Sequence, residues 1–119
     1  MLNLDTHILL HSLGGQLTTK ERNLLLENTW GISAIVLWEI TKLSQLHKIK
    51  LDVHSFEFIR VISKVHVWPI DLAVCQKIIG LDFRSDPADE IIAATSLLYN
   101  VPLLTRDKKI LNSKLIKFP

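Results

Sequence analysis

A chain of 119 residues with 48% hydrophobic and 22% charged residues has the composition of one globular domain, expected to span residues 1–119, and this excludes a disordered chain. A net charge of +2 is too small to signal nucleic-acid binding by itself. One cysteine, Cys75, excludes an intrachain disulfide framework, and no uncharged apolar run approaches the ~18 residues of a membrane span, so a soluble cytoplasmic protein with no membrane contact is expected.

Met1 to Leu4 reads as a buried first strand that ends at Asp5. Thr6 to Leu13 suits a helix, stopped by Gly14-Gly15. Thr18 or Thr19 can cap a second helix running to about Asn28; Thr19 with Arg22 makes no capping box. Trp30 to Ser33 is a second short strand, and Ser33 caps a third helix from Ala34 to about His47. At 100° per residue, Ile35, Val36, Ile40, Leu43 and Leu46 share one face of that helix, and Glu39 falls inside the apolar stripe. A charged group there is costly unless something compensates it, which points to a ligand rather than a solvated side chain.

Lys48 to His54 is a polar connection, Ser55 to Ser63 a fourth helix and Val65 to Trp68 a third strand. Asp71 can cap a fifth helix that ends at Gly80, in which Cys75 is expected to pack. Asp86 at N-cap and Pro87 at N1 start the sixth helix, whose body from Ile91 to Tyr99 is apolar nearly all round and therefore buried on more than one side. Val101 to Thr105 is a fourth strand, Asp107 opens a short seventh helix, and Leu115 to Phe118 is expected as a fifth strand. Strands alternating with helices indicate an α/β fold with a mostly parallel sheet of four to five strands and helices on both faces. Right-handed crossovers then bring the strand C-termini to one edge.

Four acids appear where a predicted strand hands over to a helix, or in a helix that follows: Asp5, Glu39, Asp89 and Asp107. Taken singly, Asp5 and Asp107 suit helix caps, and Asp89 suits a capping box with Asp86 or the helix dipole. Converging on one edge, four carboxylates repel, and a hard divalent cation removes the repulsion. Oxygen donors without a Cys or His set suit Mg²⁺ or Mn²⁺ over zinc. Such an ion keeps waters, one of which can attack a phosphodiester. Thr6 and Thr105, one or two residues from an acid, can orient ligands or waters. His7 and His11, four apart, lack a third ligand and read as ordinary partly buried histidines. Trp30, Trp38 and Trp68 each sit in or beside an apolar element and are expected to pack.

Leu4-Asp5-Thr6-His7, Ser33-Ala34 with Trp38-Glu39-Ile40, Asp86-Pro87-Ala88-Asp89 with Ile92-Ala93-Ala94, and Leu104-Thr105-Arg106-Asp107 resemble, in order, the PIN-domain nucleases, and in particular the VapC-type toxins of toxin–antitoxin pairs. The resemblance runs from Met1 to about Leu111. It implies a PIN-like three-layer α/β/α sandwich, Mg²⁺- or Mn²⁺-dependent cleavage of RNA, frequent homodimers, and a small VapB-like antitoxin that blocks the site. The family's acidic ligands match Asp5, Glu39, Asp89 and Asp107, and its hydroxyl beside the site matches Thr6 or Thr105. Two positions depart from the pattern. Glu90 stands where many toxins have Arg, and the glycine usual after the Trp-Glu helix is missing around Leu46-His47; Lys42 and Arg106 are candidates for phosphate contacts instead. The alternative is a catalytically silent PIN-like module that binds RNA or protein, which a loss at any of the four acids would favour. A phosphatase with Asp5 as nucleophile would need a second Asp where His7 stands.

Overall fold

The computed structural model describes residues 1–119, and its centre is β1 (Leu2–Leu4), three residues all buried. A strand alternates its side chains, so burial of every residue means that both faces of the sheet are covered. On one face the Asn3 amide donates to the Ile92 carbonyl at 3.0 Å and to Ser96 Oγ at 2.9 Å, both on α6 (Pro87–Tyr99). Leu2 and Leu4 face the other layer and join one apolar core with Ile8, Leu25, Ile32, Val36, Ile92 and Leu103.

The sheet is parallel throughout, in the order β3-β2-β1-β4, with β2 at Trp30–Ser33, β3 at His66–Trp68 and β4 at Leu103–Leu104. From β1 the chain first builds outward through β2 and β3, then crosses to the other side of β1 for β4. That reversal places a crevice at the C-terminal ends of β1 and β4, where open α/β sheets receive their ligands. Gly31, on β2, leaves room for the Trp68 ring of β3. A Cβ at this position would stand 2.4 Å from the Trp68 ring.

The helices between the strands are α1 (Thr6–Gly14), α2 (Thr19–Glu27), α3 (Ala34–Gln45), α4 (Phe56–Ile62) and α5 (Leu72–Ile78), followed by α6 and the short α7 (Lys108–Leu111). Thr18 is the cap of α2. Its hydroxyl accepts from the Glu21 N–H at 3.2 Å while Glu21 accepts from the Thr18 N–H at 2.9 Å, a capping box set one residue before the Thr19–Arg22 pair. At the end of α3, His47 N–H donates to Ser44 and Lys48 N–H to Leu43, and His47 takes a left-handed φ of 56°. This is the turn that glycine usually makes. No helix is long and apolar enough to cross a membrane.

Three expectations are corrected. Leu115 to Phe118 forms no strand: β4 is two residues long, too short an edge for another ladder, and the tail meets it through the Leu103 N–H donating to the Lys117 carbonyl at 2.9 Å and through Ile116, buried in the core. Cys75 is exposed, because α5 fully buries only Val74. Trp38 is 58% exposed on the flank of α3, whereas Trp68 is buried and stacks on Tyr99.

Candidate acidic site

The site begins with Asp5, the residue that ends β1 and caps α1. It is buried; its Oδ1 accepts from the Thr6 N–H at 2.7 Å, and its Oδ2 accepts from the Thr105 hydroxyl at 2.6 Å. Thr105 follows β4, and its oxygen in turn accepts from the Asp107 N–H at 3.0 Å, so one hydroxyl links the ends of two neighbouring strands. Asp107 caps α7 through the Lys109 N–H at 2.8 Å. From the other side, β2 leads through Ser33 into α3, and the half-buried Glu39 accepts from the Thr6 hydroxyl at 2.5 Å. Capping and convergence hold together here: a carboxylate has enough lone pairs for a cap and for a further partner.

Asp89, in the first turn of α6, completes the group. Its Oδ2 accepts from Ser85 Oγ at 2.9 Å, and no capping box with Asp86 forms. Asp5, Glu39, Asp89 and Asp107 line one cavity of about 450 Å³ with no hydrophobic residue in its wall. Burial pushes the Glu39 carboxyl above its ordinary 4.5; the Thr6 hydroxyl pulls it back, while the charges of Asp5 and Asp89 push it up and that of His7 pulls it down. Burial likewise pushes Asp89 up from 3.8, opposed by Ser85 and helped by the charges of Asp5, Asp107 and Asp86. Two carboxyls of the set therefore resist ionisation as long as no cation faces them.

Arg106 also lines the cavity, but Glu21 holds it. Its Nε and Nη2 donate to the two Glu21 oxygens at 2.8 and 2.6 Å, and Nη2 reaches the Gln16 carbonyl at 3.0 Å. The guanidinium holds Glu21 down at about 2. Arg106 is thus committed to α2, and its reach toward a phosphate is limited by that pair. Lys42 bonds Gln45 at 2.6 Å and does not line the cavity.

Sequence reasoning missed two participants and undervalued two. Asp86 makes no side-chain cap and turns into the cavity instead; the signal was its position three residues before Asp89, on the same side of a helix start. Ser85 holds Asp89, and nothing in the local sequence distinguishes it. His7 and His11 also line the cavity, with ring centroids 6.5 Å apart.

No three His, Cys, Asp or Glu side chains are already closed on one point at metal-ligand spacing. The chemistry of the donor set nevertheless suits a hard divalent cation. The carboxylates are oxygen donors that repel one another, and the cavity leaves room for water to complete a coordination sphere. Beside it runs an apolar groove of about 540 Å³, walled by Ile35, Trp38, Ile70 and Pro87, which shares Glu39 and Asp86 with the acidic cavity.

The PIN domain family matches residues 3–114. Among curated protein sequences no significant match is found. Three solved structures have a similar fold, each at 20% identity. A toxin–antitoxin complex from Klebsiella pneumoniae has a TM-score of 0.71 and covers 94% of this chain and 91% of its own. VapBC2 from Rickettsia felis, bound to a DNA fragment from the promoter, has a TM-score of 0.74 with 100% and 98% covered. FitAcB from Neisseria gonorrhoeae has a TM-score of 0.67 with 100% and 97% covered. The family match spans all four acids and every strand from Asn3 onward, and the chain belongs to the PIN domain family.

Proposed function

We propose that the chain is an endoribonuclease, the toxin of a toxin–antitoxin pair, which hydrolyses RNA phosphodiester bonds with the help of Mg²⁺ or Mn²⁺ held by Asp5, Glu39, Asp89 and Asp107. The observation that carries this is the convergence of four acids, contributed after three different strands and at the start of α6, on one wholly polar cavity at the sheet's C-terminal edge. The solved structure from Klebsiella pneumoniae, of similar fold and described as a toxin–antitoxin complex, supports the biological setting.

A divalent cation bound there neutralises phosphate charge and makes a water more acidic. The chain's own residues do the rest. Thr105 fixes the direction of the Asp5 carboxylate, Thr6 fixes Glu39, and Ser85 fixes Asp89, so each is oriented before a ligand arrives. Without a cation, burial and mutual repulsion hold protons more tightly on Glu39 and Asp89; a bound cation would favour their ionised forms, so its arrival and their deprotonation are coupled.

The apolar groove beside the cavity is the proposed seat of the antitoxin, with Trp38 and Ile70 taking apolar side chains and a basic side chain reaching Glu39 and Asp86. Exposed Leu72 and Ile79 on and just after α5 are the proposed contact of a homodimer. Light scattering that shows only monomer at micromolar concentration would count against the dimer.

The test of the activity is RNA cleavage with Mg²⁺ or Mn²⁺ by the purified chain and by Asp89→Asn and Glu39→Gln. Both variants are expected to keep the wild-type circular-dichroism spectrum and to lose cleavage. Either variant cutting at the wild-type rate would refute the assignment.

A further inference from the structure

A second cavity, of about 570 Å³, adjoins the acidic one and shares His7 and His11 with it. The two imidazoles stand as the wall between them. His11 Nδ1 lies 3.2 Å from Gln16 Oε1, which pins one ring, and the His7 ring is exposed. Leu13 and Leu43 supply apolar surface, and Lys48 and Lys50 stand on the rim. No Asp or Glu lines this cavity, in contrast with its neighbour.

The lysines are placed there by the end of α3. His47 reverses the chain in its left-handed turn, and the segment after it runs back along the helix, with Ser44 Oγ donating to the Leu51 carbonyl. The charge pattern of the two cavities is therefore opposite, with a wall of imidazoles between them. Resting on the nuclease reading above, we infer that this second cavity is a subsite for single-stranded RNA: it takes the nucleotide next to the scissile phosphate, with His7 and His11 against the base and Lys48 and Lys50 on the flanking phosphates.

The chemistry favours RNA over a protein segment. A strand whose scissile phosphate sits among cation-loaded carboxylates must continue past them, and the next phosphates need positive groups of the protein itself. A basic segment drawn to the acids would meet like charge at Lys48 and Lys50. Apolar surface together with imidazole faces suits an unpaired base, which stacks without demanding a sequence. The single strand is implied by the same feature, since a paired base cannot reach a lateral cavity.

The test measures binding by fluorescence anisotropy, with a labelled single-stranded oligoribonucleotide of mixed sequence and full-length protein carrying Asp89→Asn to prevent cleavage. Adding Lys48→Ala and Lys50→Ala is expected to weaken binding about tenfold and to lower the slope of log K against log salt by about 1.4, or ~0.7 for each phosphate that no longer meets a lysine. His11→Ala is expected to weaken binding with the slope unchanged, as stacking rather than charge is removed. Lys20→Ala with Lys64→Ala, both exposed and outside either cavity, is expected to change neither quantity. Equal affinity and slope with and without Lys48 and Lys50 would overturn the subsite. So would a lysine pair that matters only for holding a co-expressed partner protein. Loss of RNA binding in the lysine variant, beside a wild type that never cuts RNA with Mg²⁺ or Mn²⁺, would remove the nuclease reading and leave the binding subsite standing.

Discussion

The Thr105 hydroxyl donates to Asp5 Oδ2 at 2.6 Å across 100 residues of sequence, and this hydrogen bond ties the ends of β1 and β4 into one structure. Both groups are buried, and the same oxygen receives the Asp107 N–H. Thr105→Val keeps the shape and removes the oxygen, which leaves a carboxylate oxygen and an N–H without partners. The expected cost is about 2 kcal/mol in chemical denaturation. If Asp5 is a ligand, cleavage falls on the order of tenfold to a hundredfold as well, since its direction is lost. A variant as stable and active as the wild type would show that the bond does not matter.

The Glu21–Arg106 pair predicts a pH dependence. The Glu21 carboxyl is held at about 2, below its ordinary 4.5. A depressed acid contributes stability that is present above the ordinary value and lost as pH falls toward the folded value. Glu21→Gln removes that contribution and also weakens the cap of α2. Melting temperatures followed from pH 4.5 downward to about 2 are therefore expected to fall less steeply in the variant than in the wild type. Parallel curves would mean that the pair carries no linkage.

His47 holds a left-handed backbone that a β-carbon disfavours. His47→Gly relieves it, and the gain exceeds the entropy that glycine adds to the unfolded chain, so a stabilisation of about 0.5–1 kcal/mol is expected. Urea midpoints compare the two proteins. Destabilisation would show that the histidine side chain contributes more than the backbone strain costs.

Gly31 faces the opposite constraint. Gly31→Ala places a methyl 2.4 Å from the Trp68 ring, so the ring or the strand must move, at about 1–3 kcal/mol. Near-ultraviolet circular dichroism reports the ring's displacement, and an unchanged spectrum with unchanged stability would contradict the packing.

The convergence of Asp5 and Asp107 was legible in the sequence because parallel strands deliver their C-termini to one edge, and a residue just after a strand inherits that location; Asp89 was legible only by its place in the first turn of a helix. Glu39 was legible for a different reason, as a charge inside the apolar stripe of α3. The departure at Leu46-His47 was legible as a missing glycine, and the structure gives its consequence in the φ of His47. What stayed hidden depended on long-range partners. Arg106 was a candidate for a phosphate contact, and its pairing with Glu21, 85 residues away, was not visible locally. Asp86 looked like an ordinary cap, since local sequence does not tell whether a side chain turns back to its own helix or outward. The expected fifth strand failed because the length of β4 was not visible in the apolar run that contains it.

Stability with and without metal tests the proposed cation site most directly. Burial raises the carboxyls of Glu39 and Asp89, so their contribution favours folding at low pH and is lost as pH rises through their folded values. At neutral pH in chelator the ionised pair is a cost. Glu39→Gln removes one charge and keeps an oxygen for the Thr6 hydroxyl, so its melting temperature in chelator is expected to equal or exceed that of the wild type. Millimolar Mn²⁺ is expected to stabilise the wild type, by ~2.7 kcal/mol at 100 times the dissociation constant, and the variant should lose most of that gain. Wild-type melting curves that coincide in chelator and in millimolar Mn²⁺ would contradict the account.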